Sequence, residues 1–103
     1  MMHLLSRELV MEKLKEVQDP ELRMSIVDLG LIYDVTIEEG RVHVLYTLTS
    51  PGCPLASVIR GQIENALMDI PGVKQVDAQL TFSPPWDPRT MASEDVKMQL
   101  GIW

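Results

Sequence analysis

The segment Thr47–Leu55 has the sequence TLTSPGCPL and connects a run of alternating apolar residues to a run with helical spacing. Its Ser-Pro-Gly residues favour a tight turn, so we predict that a strand leads into a helix here. Cys53, the single cysteine of the chain, lies at the end of this turn. Pro54 follows it, and proline is favoured at the first helical position because it has no N–H to leave unpaired. The pattern therefore predicts Cys53 near a helix N-terminus.

Local chemistry gives Cys53 two interpretations. Unpaired backbone N–H groups and the helix dipole stabilise an anion at a helix N-terminus, and such sites lower the pKa of cysteine. In that interpretation the thiolate is reactive and partly exposed. In the alternative interpretation, Cys53 is a small buried apolar residue, as most free cysteines are.

Composition indicates a single domain that spans residues 1–103. One cysteine cannot form an internal disulfide, and the N-terminal residues do not resemble a signal peptide, so both features favour the cytoplasm. The net charge of −6 disfavours nucleic acid and anionic membranes as partners. No apolar run in the sequence is long enough to span a membrane.

Alternation and helical spacing predict the order of the elements. Ser6 caps a first helix that ends at Asp19-Pro20, and the alternating runs 31–37 and 41–49 form a β-hairpin. A second helix carries apolar residues at helical spacing from Leu55 to Ile70, and residues 76–82 alternate as a third strand. Gly61 lies within the second helix, where glycine costs about 1 kcal/mol relative to alanine. We therefore expect Gly61 to mark a close backbone contact.

These elements predict an α+β fold, a two-layer domain with a three-stranded mixed sheet and helices on one face. The strand–helix–strand unit around Cys53 requires a right-handed crossover, which makes its two strands parallel. The proline-rich residues 83–88 are predicted to be stiff and extended. A short C-terminal helix, capped by Ser93 and ended by Gly101, must dock on this chain or on another one.

Other residues with candidate chemistry are few. Asp19, Glu21 and Asp28 flank the irregular loop 21–30 and could converge, although aspartate before proline usually only ends a helix. His43 is expected to be a solvated strand residue rather than a base for Cys53, and His3 lies near a terminus. Trp86 either plugs the edge of the domain or anchors a partner.

Four blocks of the sequence resemble the SufT/PaaD family of iron–sulfur assembly factors, whose eukaryotic relatives belong to the cytosolic iron–sulfur targeting machinery. The blocks are DPE at 19–21, SIVDLGLIY at 25–33, TLTSPGCP at 47–54, and residues 85–101 from Pro-Trp to Leu-Gly. The resemblance implies an iron–sulfur assembly domain in which Cys53 is the reactive cysteine and binds a cluster or metal. The other candidate functional residues in these blocks are Asp19, Glu21, Asp28, Thr49, Pro54 and Trp86. The last block departs from the family pattern, with an extra residue and Lys97 in place of arginine.

The resemblance also implies a maturation factor for iron–sulfur proteins, with client or assembly proteins as partners and a homodimer as a candidate assembly. A cluster normally takes four ligands, mostly thiolates, and one chain offers a single thiolate. We therefore expect a transient or shared cluster, not one that the monomer holds stably, and no enzymatic activity. The alternatives are a small thiol-dependent enzyme, a pathway-specific accessory protein of the phenylacetate-degradation type, and a pure interaction module in which Cys53 is structural.

Overall fold

A computed structural model describes residues 5–20, 22–49 and 56–102 of the chain. Seven helices and strands occur in these ranges. In chain order they are α1 (Arg7–Leu14), β1 (Ile32–Glu38), β2 (Arg41–Tyr46), α2 (Ala56–Met68), β3 (Gln75–Leu80), α3 (Pro88–Met91) and α4 (Glu94–Leu100). None of the helices in these ranges combines the length and apolar character needed to cross a bilayer.

The three strands form one mixed sheet in the order β1-β2-β3. β1 is antiparallel to β2, and β2 is parallel to β3, as the crossover rule predicted. Val44 on the central strand pairs with Val35 of β1 and with Ala78 of β3. The sequence-based prediction of the sheet is therefore confirmed.

The core lies between one face of this sheet and the helices α1 and α2. Val42, Val44 and Tyr46 alternate along β2, and all three side chains are buried. α1 packs against β1 and α2 against β3, and the two helices also pack against each other. Residues such as His43 occupy the opposite, more polar face of the sheet. The predicted two-layer arrangement with helices on one face is confirmed.

The predicted ends of α1, β2 and β3 all lie beyond the observed ones, and β3 ends at Leu80 rather than at Phe82. α1 ends at Leu14 rather than at Asp19-Pro20, because the Glu16 and Val17 amides donate to carbonyls three residues back and tighten the chain. Val17 is nevertheless buried. β2 ends at Tyr46 rather than Thr49. The Thr47 amide still donates to the carbonyl of Leu31, the residue before β1, at 2.8 Å, and no ladder pair follows it among the described residues.

Gly61 does not mark a close backbone contact, contrary to the sequence-based expectation. A Cβ added at Gly61 would meet no heavy atom of the described residues within 4 Å. Among the described residues, the space at the Cβ position of Gly61 is therefore open.

The C-terminal residues contain one helix that the sequence reasoning missed. Residues 83–88 were predicted as a stiff extended segment, but α3 begins at Pro88, where the Asp87 carboxylate accepts from the Arg89 amide at 3.0 Å. The predicted last helix is confirmed as α4, with Ser93 Oγ accepting from the Val96 amide and Gly101 in the left-handed conformation. Ala92 and Val96 are buried in the core, so α4 docks on its own chain.

Candidate functional site

The Cys53 turn is bounded on its N-terminal side by the end of β2. The Thr47 amide donates to the Leu31 carbonyl at 2.8 Å, and the Thr81 amide donates to the Tyr46 carbonyl at 2.9 Å. Thr47 and Leu48 are both buried. The chain that leads into the turn is therefore held between the end of loop 22–30 and the residues that follow β3.

Helix α2 bounds the turn on its C-terminal side. It begins at Ala56, three residues after Cys53, and buries Ile59, Ile63 and Leu67 against the sheet. This 13-residue helix is fixed on the domain by its buried face. Cys53 and Pro54 lie outside the described residues, and their placement at the helix N-terminus stays a prediction.

Thr47 is the first residue of the segment that contains this turn. The alternation of residues 41–49 puts Thr47 on the wetter face of the sheet with His43, but the residue is fully buried. Its Oγ1 has no hydrogen-bond partner within the part of the chain that the structure describes. A buried hydroxyl without a partner costs about 1–3 kcal/mol. Thr49 is half-buried at the edge of the described range.

Asp19 organises loop 22–30. It is buried, and its Oδ1 accepts from the Leu22 amide at 3.0 Å. Its backbone carbonyl accepts from the Arg23 amide at 2.7 Å. Asp28 is half-buried in the same loop. These contacts fit the turn-forming role that aspartate before proline usually has.

A metal site built from carboxylates is not formed by the described residues. They contain no group of three or more His, Cys, Asp or Glu side chains that could hold a metal ion. Glu21 lies outside them, so a site that joins Asp19, Glu21 and Asp28 stays a prediction.

The C-terminal segment (residues 83–102) forms two hydrogen bonds with loop 22–30 and one with Tyr33 of β1. Trp86 Nε1 donates to the Leu29 carbonyl at 2.7 Å, and the Ser93 amide donates to the Asp28 carbonyl at 2.7 Å. Tyr33, which follows the loop, donates its hydroxyl to the Pro84 carbonyl at 2.7 Å. Of the two roles considered for Trp86, these contacts favour the plug at the domain edge.

Gly30 permits this close approach. Its φ is +80°, and a Cβ at this position would overlap the Met91 carbonyl. The sequence reasoning missed Gly30 and Tyr33 as positioning residues, although the Leu-Gly-Leu-Ile-Tyr run contained both. An open depression of about 470 Å³ lies beside this junction, where Tyr33, Leu45, Pro84 and Met91 form part of its lining.

His43 lies away from this junction. It is on the polar face of β2, four positions before Thr47, and its Nδ1 is 3.7 Å from the Asp77 carboxylate on β3. The geometry agrees with a solvated strand histidine.

Burial raises the pKa of the Tyr46 hydroxyl above its ordinary value of 10.0. The positive charge of Arg60 opposes this shift, and the negative charge of Glu64 adds to it. Tyr46 therefore remains a neutral residue at the end of β2 near neutral pH.

The chain belongs to the iron–sulfur cluster assembly protein family, whose model matches residues 7–79. The match includes loop 22–30 and the Cys53 turn and ends before the C-terminal segment. The family-level resemblance noted from the four sequence blocks is thereby confirmed.

Two relatives and one solved structure are similar to this chain over most of its length. The chain is 45% identical to the Fe-S protein maturation auxiliary factor YitW of Bacillus subtilis, over 93% of this chain and 94% of that protein. It is 41% identical to the Fe-S protein maturation auxiliary factor SufT of Staphylococcus aureus, over 84% and 98%. A conserved hypothetical protein of Thermotoga maritima has the same fold, with a TM-score of 0.86, 41% identity, and 99% and 100% of the chains covered.

Proposed function

We propose that this chain, acting as one domain over residues 1–103, is an auxiliary factor in the maturation of iron–sulfur proteins. One observation carries the proposal: the family match runs from residue 7 to residue 79 and includes the Cys53 turn. The near full-length similarity to maturation auxiliary factors supports the same role. Its partners are then iron–sulfur client proteins or other assembly proteins, and its compartment is the reducing cytoplasm.

The cluster is cargo in this proposal and not a resident cofactor. Four ligands, mostly thiolates, hold a typical cluster, whereas the chain contains one cysteine. The described residues add no second group of metal-binding side chains. Cys53 therefore contributes one ligand to a cluster shared with another chain, or forms a thiol-dependent contact with a client.

The role proposed for Cys53 is that of a ligand or docking thiol rather than a catalytic nucleophile. A nucleophilic cysteine needs a base within hydrogen-bond reach. His43 instead faces Asp77 on the polar side of the sheet. We therefore propose an adaptor without turnover of its own.

The rigid surroundings of the turn support this adaptor role. Loop 22–30 is tied to β2 through Leu31 and to the C-terminal segment through Leu29 and Asp28. An adaptor needs its single thiol held in a constant position relative to the surface that meets the client. Asp19, Glu21, Asp28, Thr49, Pro54 and Trp86 are proposed to provide that frame.

The test is complementation in a bacterium that lacks its own maturation auxiliary factor. We expect the wild-type chain to restore the cluster content and activity per polypeptide of an iron–sulfur dehydratase. The Cys53→Ser variant should fail while it retains the circular dichroism and unfolding midpoint of the wild type. The matched control is Ser57→Ala, an exposed position in the first turn of α2 that should restore activity.

The opposite results have distinct meanings. Full restoration of dehydratase activity by the Cys53→Ser variant would indicate an interaction module in which Cys53 is structural. Failure of the wild-type chain, at normal expression and folding, would remove the maturation role itself.

A further inference from the structure

β3 forms one edge of the sheet, and its outer side has no strand beside it among the described residues. The amides of Gln75 and Thr81 donate inward, to the carbonyls of Gly40 and Tyr46. Backbone groups alternate in direction along a strand. Val76, Ala78 and Leu80 therefore direct their N–H and C=O groups away from β2.

β3 itself carries no lysine, no proline and no register irregularity in its pairing with β2. Edge strands are commonly blocked by lysine, proline, a bulge or an inward-pointing charge. β3 has the sequence QVDAQL, and its one charged residue, Asp77, lies on the polar face beside His43. The opposite edge differs, because β1 has a register irregularity between Ile32 and Asp34.

Exposed apolar side chains lie at or near the open edge of β3. Leu80 and Phe82 are 36% and 39% exposed. Leu80 is on the same face of β3 as Val76 and Ala78, which is the face toward the helix layer. Phe82, two residues beyond β3, continues the same alternation in the sequence. A strand added to the edge would cover these side chains as well as the backbone.

We propose that β3 pairs antiparallel with β3 of a second copy of this chain, about a two-fold axis at Gln79. Ala78 then lies opposite Leu80, and Val76 lies opposite Phe82, each pair occurring twice. All of these residues have outward backbone groups, so they form the hydrogen-bonded pairs of an antiparallel ladder. The sheet becomes continuous across the dimer, and each exposed large side chain faces a smaller one.

Charge and backbone chemistry select this register. A shift that centres the axis on Asp77 would place two carboxylates opposite each other, which is unfavourable. A shift that centres it on Ala78 would place Phe82 opposite Lys74. The proposed register instead sets Asp77 opposite Thr81. The ladder ends after Phe82, because Pro84, the next residue with outward groups, has no N–H to donate.

These observations favour a second copy of this chain as the partner of the β3 edge, because the edge is complementary to itself. On the polar face, Gln79 of one copy lies opposite Gln79 of the other copy, and Asp77 lies opposite Thr81. The net charge of −6 on each chain opposes association. Added salt screens that repulsion, so we expect it to strengthen the dimer.

The register is tested by cross-linking full-length variants in a Cys53→Ser background. Residues opposite each other in a non-hydrogen-bonded antiparallel pair have Cα atoms about 4.5 Å apart, which is within the range that a disulfide spans. Gln79→Cys should give a disulfide-linked dimer under mild oxidation. The matched control is Gln75→Cys, which lies on the same face of the same strand but opposite Ser83 of the partner. Equal cross-linking of both variants, or none at Gln79→Cys, would overturn the register.

The association itself is tested by sedimentation equilibrium of the native sequence, reduced, over a wide concentration range. Phe82→Lys should raise the dimer dissociation constant by about tenfold or more, because the ammonium group would lie against Val76 of the other copy. Met98→Lys makes the same change in charge at an exposed residue of α4 and should leave the dissociation constant unchanged. A wild-type chain that stays monomeric throughout overturns the proposal, even if the edge binds a strand of another protein. Neither measurement uses client activity, so the maturation role stands or falls separately.

Discussion

Gly30 is a residue whose substitution should separate the loop from the C-terminal segment. Its positive φ is costly for any residue with a Cβ, and the Cβ would overlap the Met91 backbone. We expect Gly30→Ala to lower the free energy of unfolding by about 2–4 kcal/mol, measured by urea denaturation. A loss below about 0.5 kcal/mol would mean that the two segments separate without cost.

Gly61 provides the matched control for that substitution. It lies in the interior of α2, has ordinary helical conformation, and has open space at its Cβ position. Gly61→Ala should raise the free energy of unfolding by about 0.5–1 kcal/mol, because alanine loses less backbone entropy in a helix. A destabilising result would indicate that another chain occupies this space.

Cys53 is expected to have a pKa below the reference value of about 8.5, because of the N–H groups at the start of α2. Burial acts in the opposite direction, and a dipole worth about 0.3–1 kcal/mol would not overcome deep burial. The rate of iodoacetamide alkylation across pH gives the apparent pKa. A value above the reference, or labelling only after denaturation, would identify Cys53 as a core residue.

The raised pKa of Tyr46 predicts that the free energy of unfolding falls in alkali. Burial raises its pKa in the folded state, so the unfolded chain gives up the proton first as pH rises. The stabilisation is fully present below the unfolded pKa of about 10 and is lost as pH rises through the higher folded pKa. Urea unfolding of wild type and Tyr46→Phe should therefore diverge only above about pH 10. Parallel pH profiles would contradict the assignment.

At the scale of elements, a side-chain hydrogen bond from Trp86 helps to hold the C-terminal segment on loop 22–30. Trp86→Phe keeps an aromatic ring but removes the Nε1 donor from the Leu29 carbonyl. We expect a loss of about 1–2 kcal/mol in the free energy of unfolding, because the carbonyl loses a partner. Arg89→Lys, at an exposed residue of α3, is the control and should change stability by less than about 0.5 kcal/mol. Equal effects would show that the indole N–H is dispensable.

The strands were predictable from sequence because alternation depends on one physical contrast, a covered face and a wet face. Val42, Val44 and Tyr46 follow it without exception. Boundaries were less predictable, since the end of β2 depends on where its pairing with β1 and β3 stops, and those partners are distant in sequence. α3 was missed although Asp87 and Pro88 form a recognisable start, because the neighbouring prolines indicated an extended chain.

At the scale of the whole molecule, the crossover rule gave the parallel pairing of β2 and β3. The junction between loop 22–30, β1 and the C-terminal segment was not predictable in the same way. It depends on hydrogen bonds between residues far apart in sequence, such as Trp86 to Leu29 and Tyr33 to Pro84. No periodic pattern encodes such pairs, whereas the Cys53 turn itself is a contiguous motif.

The last prediction concerns how much iron the assembled protein can keep. With one cysteine per chain, a monomer supplies one thiolate, and the proposed dimer supplies two, against the four ligands that a cluster normally takes. Anaerobic reconstitution followed by desalting should therefore leave less than one cluster per monomer, and added thiol should remove what remains. Iron, sulfide and the visible absorption spectrum measure this retention. The Cys53→Ser variant should retain no cluster, whereas Ser57→Ala should match the wild type. One tightly held cluster per monomer would require other ligands from this chain and would contradict the view of the cluster as shared cargo.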